Sequence, residues 1–272
     1  MTHLRCWLQS ALAIALSFTL VACQSSQTDS HSSGDSGHSA TELHQGDNQE
    51  GHDGHTHAED AHGHGGNHHG HGHHTDDNAS NQHMHQRSFE ELVASFEDSA
   101  RAGWQKPDEV IAWIGDLDGK TVADIGAGTG YFSFRMAEAG AQVIAIDVDQ
   151  RFLDYIEEHA DGRSVQTREV PYDDPMIAEG EADYVIIVNT YHHINDRVDY
   201  FRKVRQGLKS GGQLIVVDYK KEETGHGPPL DHRFTHEEVT KELQDAGFNM
   251  VQADPFLLEY QYLIRAQEVA LF

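Results

Sequence analysis

The stretch from Thr121 to Asp147, TVADIGAGTGYFSFRMAEAGAQVIAID, constrains this chain more than any other. Thr121 to Ile125 is a short apolar run carrying Asp124. Gly126, Gly128 and Gly130 follow, with Ala127 between the first two, and glycine accepts positive φ and lets backbone approach a ligand closely. Tyr131 to Ala139 has helical spacing (Phe132, Met136, Ala139), and Gly140 stops it. Gln142 to Ile146 is a second buried strand. Asp147 stands at its carboxyl end, with Val148 next, where an acidic side chain can accept both hydroxyls of a ribose. This is one complete βαβ unit, and it reads as a cradle for a nucleotide cofactor.

Dinucleotide enzymes place their third small residue one step later than here, where Tyr131 stands. With Asp124 ahead the pattern is D-x-G-x-G-x-G, which resembles motif I of the class I S-adenosylmethionine (SAM) dependent methyltransferases. Asp147 matches that family's ribose-binding acid. The segment LKSGGQLIVVDY, from Leu208 to Tyr219, resembles the family's turn into strand five. The resemblance implies a doubly wound, mostly parallel, seven-stranded α/β sheet with an antiparallel last strand. It also implies a cofactor site built from Asp124, Gly126, Ala127, Gly128, Gly130, Asp147 and Val148. An acid of the Pro171–Pro175 loop, Asp174 or its neighbour Asp173, is expected to reach the adenine amino group, unless that loop is a solvated turn.

Ala182 to Asn189, ADYVIIVN, is the most continuous apolar run of the domain, as expected of a central parallel strand covered on both faces. It ends in Asn189-Thr190-Tyr191-His192-His193, at the sheet edge where ligands of doubly wound folds sit. Asn189 joins the expected cofactor site. Methyl transfer needs a positioned nucleophile and, for a hydroxyl, removal of its proton, which a neutral His can do near pH 7. His192 or His193 is the candidate base; the competing reading has them orient the loop while proximity alone drives the reaction. His226, Pro228, Pro229 and His232 stand in a loop on the substrate side, and Trp104 is expected to be a core or lid aromatic. Ser88 with Glu91 and Thr235 with Glu238 resemble capping boxes, Arg101 to Lys106 reads as a connector, and Pro107 suits a first helical position.

Residues 1–22 read as an export signal whose apolar core is too short to span a bilayer comfortably. Leu20-Val21-Ala22-Cys23 resembles the lipobox of bacterial lipoproteins, which implies a lipid on Cys23. It also implies attachment in the cell envelope, at the periplasmic side of the outer membrane in a Gram-negative cell. Cys6 lies inside the signal, so the folded domain has no disulfide and no thiol chemistry. Residues 23–86 are rich in Ser, Gly, Asp and His, with too little apolar surface to order a core, and read as a disordered tether. His52, His55, His57, His62, His64, His68, His69, His71, His73 and His74 crowd its densest part, and such a run can wrap Zn²⁺, Ni²⁺ or Cu²⁺ without a fixed site. Residues 87–272 have the length of one α/β domain.

The chain carries 45 Asp and Glu against 19 Lys and Arg, a formal charge of −26. With no basic patch to neutralise phosphates, nucleic acid is a poor acceptor and a small molecule is expected, with a protein or lipid next. SAM is made in the cytoplasm and the signal directs this domain out of it. A second reading therefore stands beside the enzyme: an envelope metal-binding lipoprotein that uses the methyltransferase fold as scaffold or sensor.

Overall fold

The structure, a computed structural model, describes residues 78–270. Cys23 and the histidines from His52 to His74 lie outside the described residues. The elements run α1 (Ala79–His85), α2 (Phe89–Phe96), α3 (Arg101–Gln105), α4 (Pro107–Ile114), β1 (Thr121–Ile125), α5 (Tyr131–Glu138), β2 (Gln142–Asp147), α6 (Gln150–His159), β3 (Val165–Glu169) and β4 (Ala182–Val188). They continue with α7 (Arg197–Gly207), β5 (Leu208–Tyr219), α8 (His236–Asp245), β6 (Met250–Asp254) and β7 (Gln261–Gln267); short 3-10 turns occupy Tyr191–His193 and Leu230–His232.

The strands form one sheet in the order β3-β2-β1-β4-β5-β7-β6. The pairs among β1 to β5 are parallel, and β7 runs antiparallel to both its neighbours. This is the doubly wound, seven-stranded arrangement expected. The order reverses between β1 and β4, so their carboxyl ends open a crevice there.

Alternation along the central strands divides the core in two. Val185, Ile187, Leu214 and Val216 face one side with Phe201, Val204, Val239 and Leu243 of α7 and α8. Ile186, Val188, Ile215 and Val217 face the other with Val110, Ile114, Phe132 and Met136 of α4 and α5. Burying each of these large apolar side chains stabilises the fold by about 1.5–3 kcal/mol, which explains why β4 reads as the most continuous apolar run. Both capping boxes form: Ser88 Oγ accepts from Glu91 N and Thr235 Oγ1 from Glu238 N, with each glutamate returning to its cap backbone. Pro107 takes the first turn of α4.

Three local expectations change. Arg101 to Lys106 is not a bare connector: α3 occupies Arg101–Gln105, and Lys106 leaves it in the left-handed region, φ 48°, ahead of Pro107, which disfavours helix in the residue before it. The LKSGG segment is taken into β5 as an irregularity rather than a separate turn. Ala182 pairs with Leu208 and Tyr184 with Gln213, so slack between them is looped out around Gly211 at φ +79°. The ordered domain also begins before Arg87, since α1 lies within the stretch expected to be tether. Composition predicts the lack of apolar anchors there correctly, but α1 is held by polar groups, as described below.

Candidate active site

The glycine turn is shaped by close approach. Gly126 has φ +70°, and a Cβ built on it would lie 2.3 Å from Thr190 Oγ1, so β1 and β4 can meet here only if one residue has no side chain. The amides of Gly126 and Ala127 both donate to Ile146 O, at 2.8 and 3.0 Å. Gly128 N donates to Asp147 Oδ2 at 2.9 Å, and Asp149 N to Asp147 Oδ1 at 3.0 Å. The turn therefore folds onto the end of β2, and Asp147 is locked beside it, 8% exposed. Replacing Gly126 with Ala forces a side chain into left-handed backbone, about 1–3 kcal/mol, and drives Thr190 aside. A lowered thermal midpoint is expected for Gly126→Ala, and an unchanged one would contradict this packing.

A cavity of about 490 Å³ opens over this turn. Gly126, Ala127, Gly128, Asp147 and Val148 form one end, and Asn189, His192, His193, His226 and His232 line it with Trp104, Pro228 and Pro229. Asn189 also has positive φ, 58°, and its side-chain oxygen accepts from Gln261 Nε2. Three expected cofactor residues are placed elsewhere. Asp124 lies buried behind the turn, accepting from Ser133 Oγ at 2.6 Å, so it pins α5 to β1 rather than lining the cavity. Gly130, φ +81°, is the N-cap of α5 and stays outside the lining. Asp174 is turned to Lys203 Nζ at 3.1 Å and Met176 N at 2.8 Å, because α7 offers it a cation; Tyr172 of the same loop lines the cavity instead. Asp173 is likewise absent from the lining.

Electrostatics distinguish the two buried acids from ordinary carboxylates. Burial pushes Asp147 up to about 6 against the opposing hydrogen bonds from Gly128 and Asp149. It pushes Asp124 up to about 6 as well, with Ser133 opposing and the neighbouring Asp147 charge adding to the rise.

At the other end the 3-10 turn Tyr191–His193 is fixed from below. Tyr191 is fully buried, stacks on Phe201 at 5.2 Å, and donates its hydroxyl to Glu242, which also pairs with Arg197 at 2.6 Å. His192, 6% exposed, places Nδ1 2.9 and 3.0 Å from the two oxygens of Asp218. An ionised carboxylate only accepts, so Nδ1 carries a proton, and in the neutral ring the lone pair is on Nε2. Asp218 also accepts from Tyr219 N at 2.7 Å, which fixes the acid in turn. This pairing separates the two histidine candidates: His192 bonds an orienting carboxylate, whereas His193 bonds an amide, Asn81 Oδ1, at 2.6 Å.

The sequence places Asp218 and Tyr219 at the end of strand five beside the pocket but assigns Asp218 no role, and it does not mark Arg101 as a site residue. Asp218 ends β5 beside the end of β4, where ligands of doubly wound sheets sit. Arg101 lines the cavity, with its guanidinium 4.0 Å from the centre of the Tyr131 ring and donating to Phe96 O at 2.9 Å. Nothing in the connector reading signalled it. Among the described residues no group of three or more His, Cys, Asp or Glu could hold a metal ion, and no helix is long and apolar enough to cross a membrane.

Residues 123–216 match the family model described as a methyltransferase domain. Among curated proteins, the cypemycin N-terminal methyltransferase of a Streptomyces species is 34% identical over 114 residues, 39% of this chain and 46% of the relative. A tRNA U34 carboxymethyltransferase of Colwellia psychrerythraea is 34% identical over 116 residues, 41% and 35% respectively. A ubiquinone biosynthesis O-methyltransferase of Pseudomonas paraeruginosa is 30% identical over 142 residues, 46% and 60%. The matched part thus spans less than two thirds of each of these relatives. The crystal structure of a SAM-dependent methyltransferase from Aquifex aeolicus superposes with a TM-score of 0.60 at 21% identity, over 67% of this chain and all of that one. The fold is that of the class I methyltransferases.

Proposed function

We propose that this chain, whose residues 123–216 match the methyltransferase-domain family, transfers a methyl group from SAM to a small-molecule acceptor. The observation that carries the reading is one cavity holding, at one end, a glycine-rich turn with a buried acid and, at the other, a histidine oriented by a carboxylate. The residues present fit the cofactor. The missing Cβ at Gly126 lets Thr190 close against the turn, the backbone of Gly126, Ala127 and Gly128 lines the cavity, and Asp147 keeps lone pairs for ribose hydroxyls beyond those used by Gly128 and Asp149, since a carboxylate offers about four acceptor sites. Arg101 supplies a cation to the lining that suits the cofactor's own carboxylate.

Bound there, SAM supplies an electrophilic methyl carried on a sulfonium. The chain supplies geometry and a proton acceptor. The glycine turn and Asp147 hold the cofactor in one pose; His192 Nε2 takes the proton of an incoming hydroxyl, and Asp218 stabilises the resulting imidazolium. Calorimetry of S-adenosylhomocysteine (SAH) on the full chain tests this directly. Binding of one equivalent is expected, and no binding would contradict the proposal.

The acceptor class rests on composition and enclosure. A charge of −26 repels polyanions, and His192 is buried inside the cavity. The three relatives carry names that point to a peptide terminus, a tRNA and a quinone precursor pathway, so their names do not agree on an acceptor.

The envelope reading is proposed on the sequence alone: the LVAC segment for a lipid on Cys23, and the run from His52 to His74 for a metal buffer of low specificity. Labelled fatty acid should enter the wild-type protein and not Cys23→Ala. Deleting residues 52–74 should remove most zinc binding while leaving SAH affinity unchanged. An unlabelled wild-type chain would refute the anchor, and zinc stoichiometry that survives the deletion would refute the buffer.

A further inference from the structure

Helix α1 brings no large apolar side chain into the core; its two buried residues are Ser80 and Asn81. A row of hydrogen bonds onto the histidine turns holds it. Asn78, the N-cap, accepts from Ser80 N at 2.8 Å and points Nδ2 at His192 O (3.3 Å) and Asn195 Oδ1 (3.1 Å). Ser80 Oγ lies 3.2 Å from His232 Nδ1. Asn81 grips one residue twice: Nδ2 donates to His193 O at 3.2 Å, and Oδ1 lies 2.6 Å from His193 Nδ1.

The double contact determines a proton. A backbone carbonyl can only accept, so the amide atom facing His193 O must be the NH₂ group. The atom facing the ring is then the amide oxygen, which can only accept, so Nδ1 bears the hydrogen. Nε2 of His193 keeps its lone pair, has no partner among the described residues, and belongs to a side chain lining the cavity.

We propose that Asn81 is a positioning residue of the acceptor site: it fixes His193 as the Nδ1–H tautomer, so that a second imidazole lone pair, beside that of His192, faces the acceptor. The inference rests on reading the cavity as a methyltransferase site. The two rings lie 4.3 Å apart between centres, close enough to serve one small molecule. The groups facing His193 are His192 on its own turn, with Asp218 behind it, His232 on the 3-10 turn Leu230–His232, and His85 on α1. Burial, followed by these neighbouring imidazoles, holds His193 well below the usual histidine range, so it stays neutral and able to accept.

The test uses the full chain with ¹⁵N-labelled histidine, the His193 signals being those that disappear in His193→Gln. Wild type should show the Nδ1–H pattern near neutral pH. Asn81→Leu should lose that pattern, shifting toward the Nε2–H tautomer. Asn81→Asp should keep Nδ1–H and raise the His193 titration midpoint, since a carboxylate favours the charged ring. If Asn81→Leu fails to fold, the Asp variant decides alone. A His193 tautomer and midpoint unchanged by these variants would overturn the proposal. Failure of the wild type to bind SAH would instead contradict the methyltransferase reading and leave the tautomer result standing, so the two failures are distinguishable.

Discussion

His192→Gln is expected to lower methyl transfer by about 10²–10⁴-fold, the usual contribution of a positioned general base, while leaving SAH affinity within about twofold. The split follows from placement. Among the described residues His192 bonds Asp218 and, through its carbonyl, the Asn78 side chain, and its ring lies near His193 and Tyr219; none of these belongs to the glycine turn. Asp218→Asn should act through the same ring. An amide can donate to Nδ1 and so favour the Nε2–H tautomer, which has no lone pair for the acceptor's proton, and it removes the charge that stabilises the imidazolium. The check is single-turnover transfer of labelled methyl with each variant saturated in SAM. Full activity in His192→Gln would show that positioning alone drives the reaction and that the dyad is structural.

Asp147→Asn should weaken SAH binding at least tenfold and remove the pH dependence that one buried carboxylate gives to folding and to binding. Both effects come from one buried charge. The folded-state value of Asp147 is raised to about 6 by burial, above its ordinary 3.8. A raised value means that the folded state holds the proton more tightly, so this group's stabilising contribution is present below the ordinary value and is lost as pH rises through about 6. Above that, the folded protein carries a desolvated carboxylate, which asparagine does not. Ribose hydroxyls donate to the ionised form, and losing such charge-assisted hydrogen bonds costs about 1.5–3 kcal/mol, roughly tenfold or more in affinity. SAH affinity of the wild type should accordingly fall as pH drops through about 6. Thermal unfolding of the apo protein and calorimetry across that range test the pair of claims. A variant that binds SAH normally and keeps the wild-type pH dependence would contradict both.

The fold was legible because its rules are local. β4 reads as a strand because Val185, Ile186, Ile187 and Val188 are all buried, and parallel central strands leave no polar alternation. Helices α2 and α8 announce themselves by Ser88-x-x-Glu91 and Thr235-x-x-Glu238, since the cap and the third residue satisfy each other's amides. The glycine turn was legible for the same reason: Gly126 and Asp147 belong to a single βαβ unit. The acceptor end was only half readable. His192 was visible at the end of β4, but its partner Asp218 comes 26 positions later and meets it only through the β4–β5 pairing. Asp174 was misplaced because its direction is set by Lys203 on α7, a contact that no motif encodes. Helix α1 was hidden by composition. Its neighbours in sequence are polar and histidine-rich, and its anchorage by Asn78, Ser80 and Asn81 leaves no apolar periodicity to detect.

The central claim is methyl transfer, and the most direct measurement is the appearance of SAH when the full chain is given SAM and a small-molecule cell extract. SAH should form in proportion to label entering the small-molecule fraction, and both should fall together in His192→Gln and in Asp147→Asn. No SAH above the rate without protein, from a chain that calorimetry shows to bind the cofactor, would contradict the enzyme reading.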